Sequence, residues 1–189
     1  MNSYFFNIIN ELAGKYVLLD QIMIFSAKYL VSIIPIIIIA LLLTRTAENK
    51  KAAIFIAFSV GLSLLLGYIT KSFCYHPRPF AMGIGLDLVP DDFTSSFPSS
   101  HTTSMFALSF AVLFVKRYKL AAMSFVLASI VGFSRIFIGV HFPFDILGGI
   151  MYGAIGVFMV ALFDKTCLNR SSRQNHQAYK RNFDKGKTC

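Results

Sequence analysis

Two histidines and an aspartate in this chain are placed to share one reaction. His141 and Asp145 are four residues apart, with Pro143 between them where the first turn of a helix tolerates proline. On a helical turn the two side chains share a face. A carboxylate so placed fixes the imidazole tautomer and supports its cation, leaving the other ring nitrogen free to attack. A lone His/Asp pair at this spacing is more often structural. His101 changes the balance, because phosphoryl transfer needs one group to attack and another to protonate the leaving oxygen, and two histidines supply both.

The cations point the same way. Lys71, Arg78 and Arg135 stand without matching carboxylates close in the chain, which suits an anion with several oxygens. The planar fork of arginine takes two phosphate oxygens at once, and lysine adds a point charge. Ser99 and Ser100 sit just before an apolar run, where serine caps a helix and the first amides and the helix dipole attract an anion. Taken alone, these serines would read as ordinary caps. His101, His141 and Asp145 are also a possible metal set, but three clustered cations repel a divalent ion, so no metal and no cofactor is expected.

Composition says what must hold these residues. Of 189 residues 56% are hydrophobic and 14% charged, against about 25% charged in a soluble domain. An integral membrane protein is expected, since the surface of a water-soluble globule could not be covered. Five apolar segments, 21–44, 52–70, 98–115, 120–140 and 144–163, approach the ~20 residues that cross a bilayer. Before them Phe5, Ile8, Ile9, Leu12, Tyr16 and Leu19 recur at helical spacing with Asn7, Asn10, Glu11 and Lys15 opposite, the pattern of a helix lying at the interface. The fold class is therefore all-α: a polytopic membrane helix bundle with five to six transmembrane helices plus an N-terminal interfacial helix. Residues 1–163 form the membrane domain, and 164–189 a basic tail expected to be disordered. The first 14 residues hold Glu11 and no Lys or Arg, so no cleavable signal is expected.

Lys and Arg number 18 against nine Asp and Glu. Thirteen of the basic residues fall in the 45–51 and 116–119 connections and the tail, and the positive-inside rule puts these in the cytoplasm. Lys71, Arg78, Ser99, Ser100, His101, Arg135, His141 and Asp145 then gather at the outward ends of four helices. The tail lacks interleaved aromatics, so no nucleic acid is expected, only topology and attraction to anionic lipid. Cys74, Cys167 and Cys189 show no metal-ligand spacing. Lys28, inside the first span, is expected to snorkel outward. Tyr75 and His76 beside Pro77 read as packing or surface, and Asp87, Asp91 and Asp92 as solvated. Met82, Leu86, Leu88 and Val89 in the 81–97 loop either guide a lipid or pack on the helices.

Lys71, six residues, then Arg78-Pro79; Pro98-Ser99-Ser100-His101; and Ser134-Arg135, five residues, His141, three residues, Asp145: this order and spacing resembles the three-part signature of the type 2 phosphatidic acid phosphatase superfamily. Flanking text, from Asn10-Glu11-Leu12-Ala13-Gly14-Lys15 with Leu19-Asp20 to Met23-Ile24-Phe25 and His101-Thr102-Thr103, resembles more narrowly its bacitracin-resistance type, the undecaprenyl-diphosphate phosphatases. The resemblance implies Lys71, Arg78 and Arg135 on the phosphate, with Ser99 and the amides of Ser100 and His101 completing the cradle. It implies His141 as nucleophile, Asp145 as its orienting partner, His101 as general acid, and no metal. Ser100 stands where the common second motif has glycine, as that subgroup also departs from it. The implied activity is hydrolysis of undecaprenyl diphosphate to undecaprenyl phosphate and phosphate through a phosphohistidine, at the outer face of a bacterial plasma membrane, with membrane lipids as surroundings and no obligate protein partner evident. The rivals are a phosphatidic acid or phosphatidylglycerophosphate phosphatase, a lipid phosphotransferase and, outside enzymes, an anion carrier.

Overall fold

The computed structural model describes residues 2–89 and 95–185, with side chains as far as residue 164. Every regular element among them is helical. In chain order these are α1 (Asn2–Asn10), α2 (Val17–Tyr29), a 3₁₀ turn (Leu30–Ser32), α3 (Ile33–Leu43), α4 (Ala47–Phe73), a second 3₁₀ turn (Phe80–Met82), α5 (Ser100–Phe114), α6 (Tyr118–Phe137) and α7 (Pro143–Lys185). The chain divides into two compact units, Met1–Val157 and Phe158–Cys189. Where a disordered tail is expected from residue 164, the backbone is helical to Lys185, and residues 186–189 lie outside the described residues.

Four helical stretches are long and apolar enough to cross a membrane: Val17–Leu43, Ala47–Phe73, Tyr118–Phe137 and Pro143–Asp164. The first runs through α2, the 3₁₀ turn and α3. Pro35 explains the tightening at Leu30–Ser32, because its ring collides with the carbonyl four residues back, at Val31. The segment expected to span at 98–115 yields the shorter α5, whose 15 residues rise about 22 Å. This helix packs between α4 and α6. Ten of its residues are buried, and Met105, Leu108 and Val112 pack with Ala53 and Ile56 of α4 and Ala128 and Val131 of α6. Gly153 lets α7 come close, since a Cβ there would lie 2.9 Å from the amide nitrogen of Ala107. At the far end from the site, the Arg117 guanidinium donates to Asn49 Oδ1 in the first turn of α4, tying the C-terminal end of α5 level with the start of α4.

Helix α1 is nine residues long and ends at Asn10. Asn10, expected on the polar face of a longer helix, is instead buried. Its Nδ2 donates to the carbonyls of Leu86 and Phe137, and its Oδ1 accepts from the Leu86 amide. One side chain thus ties the N-terminus to the 83–89 loop and to the end of α6. There α6 stops in a Schellman motif: the Gly139 amide bonds the Ile136 carbonyl, and the Val140 amide the Arg135 carbonyl. Gly139 takes the required left-handed turn at φ +87°, and a Cβ there would lie 2.3 Å from the Leu86 carbonyl oxygen. Gly139→Ala should therefore lower stability by roughly 2–4 kcal/mol, combining left-handed strain with a clash against backbone. Thermal unfolding in detergent checks this, and an unchanged midpoint would show the loop to be free to move away.

Candidate active site

Each element delivers its residue for a local reason. α4 ends at Phe73 with Lys71 in its last turn, and α6 ends at Phe137 with Arg135 in its last turn. The Schellman motif reverses the chain so that His141 follows two residues after Gly139, and α7 opens at Pro143 with Asp145 in its first turn. α5 begins at Ser100. The five-residue interval from Arg135 to His141 is thus a helix end plus its capping turn.

His141 is 1% exposed and Asp145 is fully buried. His141 Nδ1 lies 3.5 Å from Asp145 Oδ2. That oxygen also accepts from the Phe142 amide at 2.8 Å and from the Ser96 hydroxyl at 2.5 Å, and Ser96 Oγ lies 3.2 Å from His141 Nδ1. The backbone amide of Ser99 donates to the carbonyl of Asp145 at 3.1 Å, fastening the start of α5 to the start of α7. Burial, opposed by the Asp145 carboxylate and reinforced by the Arg135 and Arg78 guanidiniums, pushes the His141 imidazole down from 6.5 to about 3. It is therefore neutral throughout the working range, the form an attacking nitrogen needs.

Arg78 and Arg135 are buried, at 5% and 6% exposure, and both act on His141. Lys71 Nζ donates to Ser100 Oγ at 3.0 Å, so the serine standing in a common glycine position holds the lysine. Ser99 occupies the N-cap position of α5 with an extended backbone, but its hydroxyl does not cap the helix; it accepts from Thr102 Oγ1 at 3.1 Å. His101 lies half-buried in the first turn of α5. Six of the eight sequence-identified residues thus stand at the ends of α4 to α7, while Arg78 and His141 lie in the connections that follow α4 and α6.

Ser96 is the residue that sequence reasoning missed. Its neighbours Thr94, Ser95 and Phe97 give it no periodicity, and nothing in its type sets it apart from Ser95. Ser95 braces the loop instead, taking the His76 amide at 3.0 Å and donating to the Cys74 carbonyl at 3.1 Å. His76 itself is exposed, as expected for a surface residue, though its backbone is engaged. Asp87 caps its own turn by accepting from the Val89 amide. Asp91 and Asp92 lie outside the described residues. Val89 and Leu88 pack with Phe137, Ile138 and Val140, which favours packing for those two; Met82 and Leu86 are exposed. Among the described residues no group of three or more His, Cys, Asp and Glu is arranged to hold a metal.

Known proteins are similar to this chain in sequence and in fold. The undecaprenyl-diphosphatase BcrC of Bacillus subtilis (strain 168) is 31% identical over 163 residues, 86% of this chain and 84% of that protein. A Bacillus licheniformis protein named bacitracin transport permease protein BcrC is 31% identical over 156 residues, 82% of this chain and 76% of its own length. The crystal structure of Aquifex aeolicus LpxE superposes with a TM-score of 0.69 at 26% identity, covering 85% of this chain and 94% of that one. The model of the PAP2 superfamily matches residues 52–167, from α4 into α7 and across every motif residue. With the motif residues carried on the ends and connections of apolar helices and His141, Asp145, Arg78 and Arg135 buried, the chain belongs to the PAP2 superfamily, a membrane lipid phosphatase by its relatives.

Proposed function

We propose that this phosphatase hydrolyses undecaprenyl diphosphate to undecaprenyl phosphate and inorganic phosphate, through a phosphohistidine on His141. One observation carries this: a buried, neutral imidazole whose Nδ1 side is occupied by Asp145 and Ser96, with two buried arginines beside it. Nε2 is then the atom left to attack phosphorus. Arg78, Arg135 and Lys71 hold the phosphoryl oxygens, with Ser99 and the first amides of α5 completing the cradle, and the charge growing on those oxygens is met by donors already in place. His101 protonates the departing lipid phosphate and then takes the proton of the water that cleaves the N–P bond. Support for the diphosphate comes from the relative named undecaprenyl-diphosphatase.

The site faces outward from a bacterial plasma membrane with the C-terminus cytoplasmic, by the distribution of thirteen of the 18 basic residues to the opposite ends. Three cations neutralise the phosphate without a divalent ion.

The test is phosphate release by purified protein from undecaprenyl diphosphate, phosphatidic acid and phosphatidylglycerophosphate, each with and without excess chelator. Fastest release from the diphosphate, unaffected by chelator, is expected. Preference for a monoester would redirect the substrate, loss on chelation restored by one metal would overturn the site, and transport without cleavage would favour a carrier. Cys74, free and exposed, serves the topology when Cys167 and Cys189 are replaced by serine: an impermeant thiol reagent should label it in intact cells. Extra copies should also lower bacitracin sensitivity, since that antibiotic sequesters the same lipid.

A further inference from the structure

Ser96 lies outside the three motifs, yet it occupies the junction on which the proposed nucleophile depends. Its side chain is fully buried, and its backbone amide is anchored on the His76 carbonyl at 2.7 Å. Nδ1 of His141 and Oδ2 of Asp145 are 3.5 Å apart, beyond the 2.7–3.2 Å of a good N–H···O bond. Ser96 Oγ closes that gap, at 3.2 Å from the nitrogen and 2.5 Å from the oxygen. Among the described residues Asp145 Oδ1 has no hydrogen-bond partner, and the contact of this carboxylate with the imidazole runs through Oδ2.

Proton counting gives the consequence. A hydroxyl has one proton, and a carboxylate only accepts. Ser96 therefore donates to Oδ2 and has only lone pairs left for Nδ1. The imidazole must then carry its proton on Nδ1, which leaves Nε2 bare. The opposite tautomer would set the Nδ1 lone pair against lone pairs of Ser96 and Asp145. We propose that Ser96 is a positioning residue that relays Asp145 to His141 and sets the tautomer of the attacking ring. This rests on the reading of His141 as nucleophile. When Nε2 forms its bond to phosphorus, the P–O bond to the leaving group breaks with its electron pair going to that oxygen, which takes its proton from His101. The positive charge gained by the ring is spread through Nδ1–H to Ser96 and on to Asp145, with no net proton movement along the relay. Water then cleaves the N–P bond, gives its proton to His101, and restores the resting ring.

The experiment compares Ser96→Ala, Ser96→Cys, Asp145→Asn, the Ser96→Ala/Asp145→Asn double variant and His141→Ala in the full-length protein, on the lipid that wild type turns over fastest. Ser96→Ala keeps the backbone bond to His76, and thermal unfolding in detergent monitors its fold. Ser96→Cys fills the space with a weak donor and carries the test if the alanine variant unfolds early. The expected result is a fall in kcat on the order of 10²-fold for alanine and less for cysteine, with KM within about threefold of wild type. The double variant should be no more than about threefold slower than Asp145→Asn alone, because both changes cut one relay. Wild-type kcat in folded Ser96→Ala or Ser96→Cys, or losses that multiply in the double variant, would overturn the relay. If His141→Ala is inactive while Ser96→Ala is unimpaired, only the relay fails; if His141→Ala is active, the phosphohistidine reading fails and the relay with it.

Discussion

Replacing His141 by alanine should abolish turnover, a loss of roughly 10⁴-fold or more, since removal of an attacking group deletes the covalent route. Asp145→Asn should leave a slow enzyme, because it removes the charge that supports the ring cation while the attacking nitrogen remains. His141 is 1% exposed, so alanine leaves a cavity, and His141→Gln is the companion variant that fills it. Both should be inactive on the lipid, and neither should form an acid-labile phosphoenzyme in a rapid quench with radiolabelled substrate. Near-normal turnover by either, in protein that melts as wild type does, would sink the assignment of His141.

The second large effect is expected at Arg135. Arg135→Lys should cost about 10²- to 10³-fold in kcat, the range found when one preorganised donor to a developing oxyanion is lost. The change keeps the charge, so the loss measures geometry. Arg135 is buried, and the Val140 amide caps its carbonyl in the turn that ends α6, which fixes its backbone relative to His141. Lysine on that same backbone offers a point charge with a different reach and no fork. If Arg135 served only to brace the fold, Arg135→Lys would shift the melting temperature and leave kcat alone. Measuring both on one preparation separates the two.

Much of this site was legible because its residues are chemically unusual where they stand. A lysine, two arginines and two histidines at the ends of apolar runs need a reason to be there, and their spacing encodes helix ends: the interval from Arg135 to His141 is one capping turn. Ser96 was not legible, since a serine among serines and threonines shows its role only when the His141 ring is placed against it. Asn10 misled for a related reason. Local periodicity put it on a polar face, but its partners Leu86 and Phe137 lie 76 and 127 residues away, and no short window holds them. The length of α5 was overread because apolar composition is shared by a helix that meets lipid and one that is buried by its neighbours.

The short helix α5 packs along the longer α4. With Arg117 holding its far end level with the start of α4, the 15 residues of α5 rise about 22 Å while the 27 of α4 rise about 40 Å. Ser99, Ser100 and His101 stand at the start of that shorter helix, where the Lys71 ammonium meets the Ser100 hydroxyl. A 27-residue helix and a 15-residue helix are thus latched to one another at both ends, by Arg117 and Asn49 at one and by Lys71 and Ser100 at the other.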